Sequence, residues 1–550
     1  MYRYDTHDQT LVDERVAQFR DQMRRYLAGQ ISDAEFLPLR VQNGLYIQRY
    51  APMLRIAIPY GMLAAYQLRK LGEIAARYDR GYGHFTTRTN LQLNWPKLED
   101  VPDILAELAS VQMHAIQTSG NDIRNTTTDQ FSGVAADEQV DPRPWCELIR
   151  QWSTFHPEFA YLPRKFKIAV TGAVEDRAAI QVHDVGLRLW RDRDGEVRIT
   201  VLAGGGLGRT PMIGEVIHDG LPWQHLLTYL EALVRVYNQF GRRDNKFKAR
   251  IKILVKALGV DEFRRRVEQE WAHLKEGPQT LTADAVEAVA AHFVDPPRRA
   301  VPDAAIAAYE QQRRDDRAFA RFVTNNVTDH RVPGYKAVTL SLKRREHSPG
   351  DVTSEQMAAI ADLADAFSHG ELRVTHEQNL VLTDVPVDRI DELWRRLDEL
   401  GMANPTVGTL ADLICCPGGD YCSLANAKSI PVAHAIQERF EDLDFLYDLG
   451  PLELNISGCM NACGHHHVGH IGILGVDKKG EEYYQISLGG SQGNGTSLGK
   501  ILGPSFFRED VPEVIDKLLQ VYVGSRQPDE TFLDTYRRIG LKPFKERVYA

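Results

Sequence analysis

Several things are missing from this 550-residue chain, and each absence excludes something. Nowhere do roughly eighteen apolar residues run together, so no segment is expected to span a membrane. The opening stretch MYRYDTHDQTLVDERVAQFR is charged and lacks the apolar run of a secretory leader, so a cytoplasmic protein is expected. An excess of positive charge is lacking too: the net charge of −9 argues against bulk binding to nucleic acid. No G-x-G-x-x-G opens a βαβ unit, which leaves flavin and nicotinamide without their usual fingerprint. Cysteine is scarce, six in all, too few for a disulfide framework in so long a chain. What remains, 43% apolar and 26% charged residues, is ordinary for a globular protein, and the length calls for several domains.

The chain repeats itself. PMLRIAIPYG, a helical stretch from about Met62 to Tyr78, then GHFTTRTNLQLNW reads as strand, helix, strand. Leu63, Tyr66, Leu68, Leu71, Ile74 and Ala75 set the helical spacing. Near residue 335 the order recurs as YKAVTLSLKR, MAAIADLADAF and ELRVTHEQNLVLTDVP, with Asn90-Leu91 and Asn379-Leu380 at matching points. A larger module follows each small one: KFKIAVTGA matches LELNISGCM, with Gly172 opposite Gly458, and VRITVLAGGGLGRTPMIGEV matches YYQISLGGSQGNGTSLGKIL. The fold class expected is mixed α and β (α+β), a duplicated two-module architecture with pseudo-two-fold symmetry. The expected boundaries are an N-terminal helical arm at 1–44, small modules at 45–117 and 331–404, and larger modules at 118–275 and 405–550. Residues 276–330, with VDPPRRAVPDAA, are expected to form a connecting arm rather than a core element.

Duplicated halves share a fold, so what only one half carries points to chemistry. Cys146 stands alone; Cys415, Cys416, Cys422, Cys459 and Cys463 are all in the second large module. Cys416-x5-Cys422 and, after a long gap, Cys459-x3-Cys463 supply two pairs of thiolates. Zinc knuckles usually draw ligands two to four residues apart, which fits poorly. Four thiolates also suit a 4Fe–4S cluster, whose spacings vary more widely. Free buried thiols are a third reading, and an oxidation liability.

CCPGGDYCSLA followed by GCMNACG resembles the two cluster motifs of the sirohaem-dependent sulfite and nitrite reductases, closest to the haemoprotein subunit of the assimilatory sulfite reductases. The resemblance runs over the whole duplication from about residue 40. It implies ferredoxin-like half-domains for the small modules and sirohaem-binding roles for the large ones. It also implies that Cys416, Cys422, Cys459 and Cys463 hold a 4Fe–4S cluster, Cys463 being shared with the sirohaem iron. Cys415 is an extra neighbour, and in HHHVGH the imidazoles are expected to be solvated or to stand behind the ligands rather than to ligate metal.

Sirohaem carries eight carboxylates and sulfite is a dianion, so such a fold must gather cations where water is scarce. The resemblance places four around the open face of the haem, at Arg55, Arg124, Lys165 and Lys167. It places contacts to the haem and its carboxylates at Arg88, Gln92, Lys248, Arg250, Lys252 and Asn461. His84 stands where the family has an arginine. LPRKFK keeps the Lys-x-Lys of sulfite reductases, where related nitrite reductases tend to have asparagine at the position of Lys167. The implied activity is six-electron reduction of sulfite to sulfide, with electrons from a separate ferredoxin or flavoprotein subunit. The same-class alternative is reduction of nitrite to ammonia. A metal-bound scaffold holding RNA through the basic run RRDNKFKARIK is the alternative from another class.

Overall fold

The computed structural model describes every residue except 345 and 346. Among the described residues the strands form four five-stranded sheets, two to each half of the chain. The first small sheet runs Leu45–Ile47, Pro52–Ile56, Leu91–Leu93, Tyr82–Phe85, and then Asp351–Thr353 from the other half. The second runs Val327–Asp329, Tyr335–Leu340, Leu380–Pro386, Glu371–Val374, and then Met62–Ala64 from the first half. Each half thus lends one strand to the other, with Asp351 opposite His84 and Glu371 opposite Ala64.

The helix after each lent strand packs against its counterpart. Ala65–Tyr78 buries Leu68, Leu71, Ile74 and Ala75, and Ser354–Phe367 buries Met357, Ile360, Ala361 and Ala364. Thr353 and Gln356 close a capping box at the start of the second helix, satisfying amides that have no partner within it. A Cβ on Gly72 would lie 3.0 Å from the Ser354 carbonyl oxygen and 3.2 Å from Met357 Cβ, so glycine lets the two helices touch. The pseudo-two-fold expected from the repeats is therefore one shared core. The helix expected from Met62 begins at Ala65 instead, because Met62–Ala64 is claimed by the partner sheet, and Tyr66, set among the helix's apolar positions, is 41% exposed.

The larger sheets repeat one plan. Thr127–Thr128, Ile168–Thr171 and Val185–Arg191 are parallel neighbours, continued antiparallel by Val197–Ala203 and Glu215–Pro222. Ile414–Cys415, Leu454–Ser457 and Ile471–Lys478 are parallel in the same way, continued by Glu481–Leu488 and Lys500–Ile501. The stretch expected to be a connecting arm is partly core: the helix Arg317–Asn326 sinks Phe319 and Phe322 into the half-domain interior, because its apolar residues recur at helical spacing. Among the described residues no helix is long and apolar enough to cross a membrane. Gly72→Leu wedges the two helices apart and is expected to cost about 1–3 kcal/mol. Thermal unfolding should show the half-domains losing stability together, in one transition.

Candidate functional site

The clustered cysteines lie on loops leaving the carboxyl ends of Ile414–Cys415 and Leu454–Ser457, where open α/β sheets usually present ligand groups. Gly458 carries one loop past the other: a Cβ there would stand 2.6 Å from the Ala427 carbonyl oxygen. Its amide donates to Cys416 Sγ at 3.2 Å, Ser429 Oγ lies 3.7 Å from the same sulfur, and Asn461 Nδ2 donates to Cys459 Sγ at 3.4 Å. Such donors favour the thiolate, the form that binds metal. Burial, and then Cys463, push the Cys416 thiol up, and Cys422 and Cys459 also feel Cys463. Cys415 is buried differently. Its thiol turns back to the Cys416 carbonyl at 3.3 Å, and beyond Cys416 its charged surroundings are Asp420, Asp351 and Lys343. Among the described residues no three His, Cys, Asp or Glu side chains converge on a single ion-sized point. Cys416, Cys422 and Cys459 each feel the charge of Cys463, so the four thiols are near neighbours, a donor set that fits a 4Fe–4S cluster.

The first half supplies the cations facing this loop, and Thr87 Oγ1 donates to the Cys463 carbonyl at 2.8 Å. Arg55, on Pro52–Ile56, sits opposite Gln92 in the sheet, and Gln92 Oε1 accepts from its Nε at 2.9 Å and its Nη2 at 2.5 Å. Arg124 donates to the carbonyls of Thr118 at 2.9 Å and Gly120 at 2.5 Å. Arg88 donates to Thr127 Oγ1 at 2.8 Å and the Asn125 carbonyl at 2.6 Å. Removal from water, with Arg124 and Arg250 nearby, pulls Arg88 down to about 9 despite the pull of Asp184. Lys165 and Lys167 precede Ile168–Thr171, and among the described residues neither ammonium has a hydrogen bond or a carboxylate partner. Burial pushes both below the usual lysine range; Lys167 is lowered further by Lys165, Arg88 and Arg250. Both feel Cys463. Cations with no counter-charge, beside a thiol that faces outward, fit a polyanionic group bound against Cys463.

Two expected contacts, Lys252 and Lys248, turn to other partners or to solvent. Lys252 Nζ donates to the carbonyls of Gly206, Leu207 and Thr210 at 3.1, 2.6 and 2.6 Å, so its ammonium organises the glycine-rich turn. Lys248 is exposed on the loop after Leu226–Phe240. His84 is buried in the exchanged sheet, its Nδ1 2.7 Å from an Asp351 carboxylate oxygen. In the histidine run, His465 and His466 are buried, while His467 Nε2 donates to the Gly208 carbonyl at 2.9 Å and ties the two large modules together.

Sequence reasoning missed two residues. Asp184, wholly buried, accepts from Arg250 at 2.8 and 2.7 Å and from the Lys167 amide at 2.9 Å, so it aims both. An aspartate just before an apolar strand is the only signal it leaves in the sequence. Tyr46 leaves none: its ring lies 5.2 Å from the Arg55 guanidinium across the sheet register. Burial would raise its phenol, but Arg55, Arg124 and Lys165 together hold it at about 8.

A tyrosinate absorbance titration of the cofactor-free protein should show one tyrosine ionising near pH 8, lost in Tyr46→Phe and moved upward in Arg55→Gln. Known protein families match the chain over most of its length. The model of the nitrite and sulphite reductase 4Fe–4S domain matches residues 119–275 and 408–550, and that of the nitrite/sulfite reductase ferredoxin-like half domain matches 47–111 and 333–400. The chain is 28% identical over 492 residues to sulfite reductase (ferredoxin) 1 of Mycolicibacterium paratuberculosis, covering 87% of this chain and 81% of that protein. It is 29% identical over 488 residues to ferredoxin–nitrite reductase of Synechococcus elongatus, covering 86% of each. The solved structure of Mycobacterium tuberculosis NirA protein superposes with a TM-score of 0.78 at 25% identity, covering 96% of this chain and 94% of that one. With both family models matched in duplicate over most of its length, the chain belongs to the nitrite and sulphite reductases, oxidoreductases that carry sirohaem and a 4Fe–4S cluster.

Proposed function

We propose that this protein is an assimilatory sulfite reductase, taking six electrons one at a time from a ferredoxin-type carrier to turn sulfite into sulfide. The observation that carries the substrate is the pair Lys165 and Lys167, two ammonium groups beside Cys463 that have no carboxylate partner among the described residues. Sulfite approaches a charge of −2 near neutral pH and nitrite −1, so a second lysine favours the dianion. The donor follows from the relatives, whose names specify ferredoxin. Nitrite reduction to ammonia is the second reading, favoured by the similar identity to a nitrite reductase.

Cys416, Cys422, Cys459 and Cys463 are the residues we assign to the cluster. When bound, the sirohaem would supply a redox-active iron and the cluster, held by the four thiolates, would supply an electron store. Arg88, Gln92, Arg250 and Asn461 are assigned to the cofactors' side of the pocket, with Asp184 fixing Arg250, while Lys252 acts through the glycine-rich turn that its ammonium organises. Arg55 and Arg124, their guanidinium planes held by Gln92 and the Thr118 carbonyl, present spare N–H groups to the oxygens of the substrate. Lys165 and Lys167 act as acids: an ammonium whose pKa burial has lowered releases a proton readily, and each oxygen then leaves as water.

Anaerobic turnover with reduced viologen tests this, comparing kcat/KM for sulfite and nitrite and assaying sulfide and ammonia. Sulfite should be preferred, and Lys167→Asn should lower its kcat/KM by roughly 30- to several-thousand-fold while sparing nitrite more. A wild-type preference for nitrite overturns the substrate. Cys463→Ser should bleach the visible bands of the purified protein, whereas Cys415→Ser should leave them.

A further inference from the structure

The duplication gives the cation pocket a counterpart in the second half, and its chemistry is reversed. In the first half Asn125 Nδ2 donates to Asn90 Oδ1 at 2.9 Å; at the matching points of the second, Asn379 Nδ2 donates to an Asp412 carboxylate oxygen at 2.9 Å. Beside the second pair lies a cavity of about 220 Å³, lined by Glu377, Asp412 and Glu453 and, from the first half, by Gln130. A single water needs only about 10–15 Å³, so there is room for a small organic molecule. Two of the three acids are answered. Lys343 Nζ lies 3.5 Å from Asp412, whose other oxygen accepts from the Gly408 amide at 3.0 Å, and His376 Nε2 lies 3.1 Å from Glu377. Glu453 has no ion pair among the described residues. Its Oε2 is buried without a hydrogen-bond partner, and so is Gln130 Oε1. Among the described residues that line the cavity, these are the buried side-chain atoms left unpartnered, and both are acceptors. A buried acceptor costs free energy until a donor reaches it. Burial, and then Glu377, push the Glu453 carboxyl up to about 7 against the pull of His376 and Gln492, so it is ionised in part near neutral pH. The acids exclude an anion. Geometry excludes a chelated metal ion, since among the described residues no three His, Cys, Asp or Glu side chains converge on one point. A compact cation with several N–H donors satisfies orphaned acceptors and supplies the charge that Glu453 lacks.

We propose that this cavity is a binding site for a small primary ammonium ion, with Glu453 as its counter-charge and Gln130 as a second acceptor. None of these residues belongs to the set assigned to substrate or cofactors. Gln130 is part of the first large module and Glu453 of the second, so an occupant joins the two modules and stabilises their contact.

The holoenzyme is titrated by calorimetry with butylammonium chloride at neutral pH, beside potassium chloride of equal ionic strength. Butylammonium should give saturable heat and raise Tm, and potassium should do neither. Glu453→Gln keeps the side chain's shape and removes its charge, so its Kd should rise at least about tenfold and the gain in Tm should vanish. Gln130→Met removes the second acceptor and should raise Kd about threefold or more. An unchanged Kd in Glu453→Gln overturns the site, and equal heat from potassium overturns the choice of an ammonium ligand. Where Glu453→Gln fails to fold, Gln130→Met decides: a raised Kd upholds the site and an unchanged one sinks it. A wild type that gives no saturable heat with butylammonium overturns the proposal as well.

Discussion

Like charges held close together away from water are the constraint around which this molecule is arranged. Lys165, Lys167, Arg88, Arg124 and Arg250 repel one another, and burial weakens the hold of each on its proton. The protein meets this with neutral groups as much as with acids: carbonyls for Arg124 and Arg88, an amide oxygen for Arg55. Where it does use acids they are strained in turn, as at Asp122, which burial pushes up to about 6 against the pull of Arg124. The arrangement is uncomfortable without a counter-charge, so an anionic occupant stabilises the folded chain as well as being held by it.

The duplication shows how one scaffold can be given opposite chemistry. Arg55 faces Gln92 across the first small sheet, and at the same register of the second Thr339 faces Val381. Arg88, two residues before Asn90, corresponds to Glu377 before Asn379; Lys167, preceding Ile168, corresponds to Glu453 preceding Leu454. The second half accordingly encloses a cavity of about 220 Å³ lined by Glu377, Asp412 and Glu453, the last pushed up to about 7 by burial and by Glu377. The clustered thiols run the other way: apart from the lone Cys146, the cysteines are all in the second half. Function has been placed on the fold rather than dictated by it.

Much of this was legible in the sequence. Repeated strand–helix–strand patterns exposed the duplication because hydrophobic spacing reports local structure, and the cysteine pairs stood out because they lack counterparts. Position-by-position resemblance pointed to Arg55, Arg124, Lys165 and Lys167. What stayed hidden depends on contacts between distant residues. Met62–Ala64 reads as the first turn of a helix, since nothing local says that residues 371–373 will claim it. Tyr46 and Asp184 have unremarkable neighbours in sequence, and their part is defined by the cations folded around them. Lys252 fits the motif, yet its ammonium is taken up by the turn beside it.

The exchanged strands also govern how the chain can be made. Tyr82–Phe85 must wait for Asp351–Thr353 before its outer edge is paired, and Met62–Ala64 must wait for Glu371–Val374. At translation rates of about 5–20 residues per second, that delay is on the order of tens of seconds. During it the nascent first half carries open strand edges of the kind that pair with other chains. The ribosome-bound intermediate is thus the most aggregation-prone form of this protein, and the separate halves are poor candidates for independent expression.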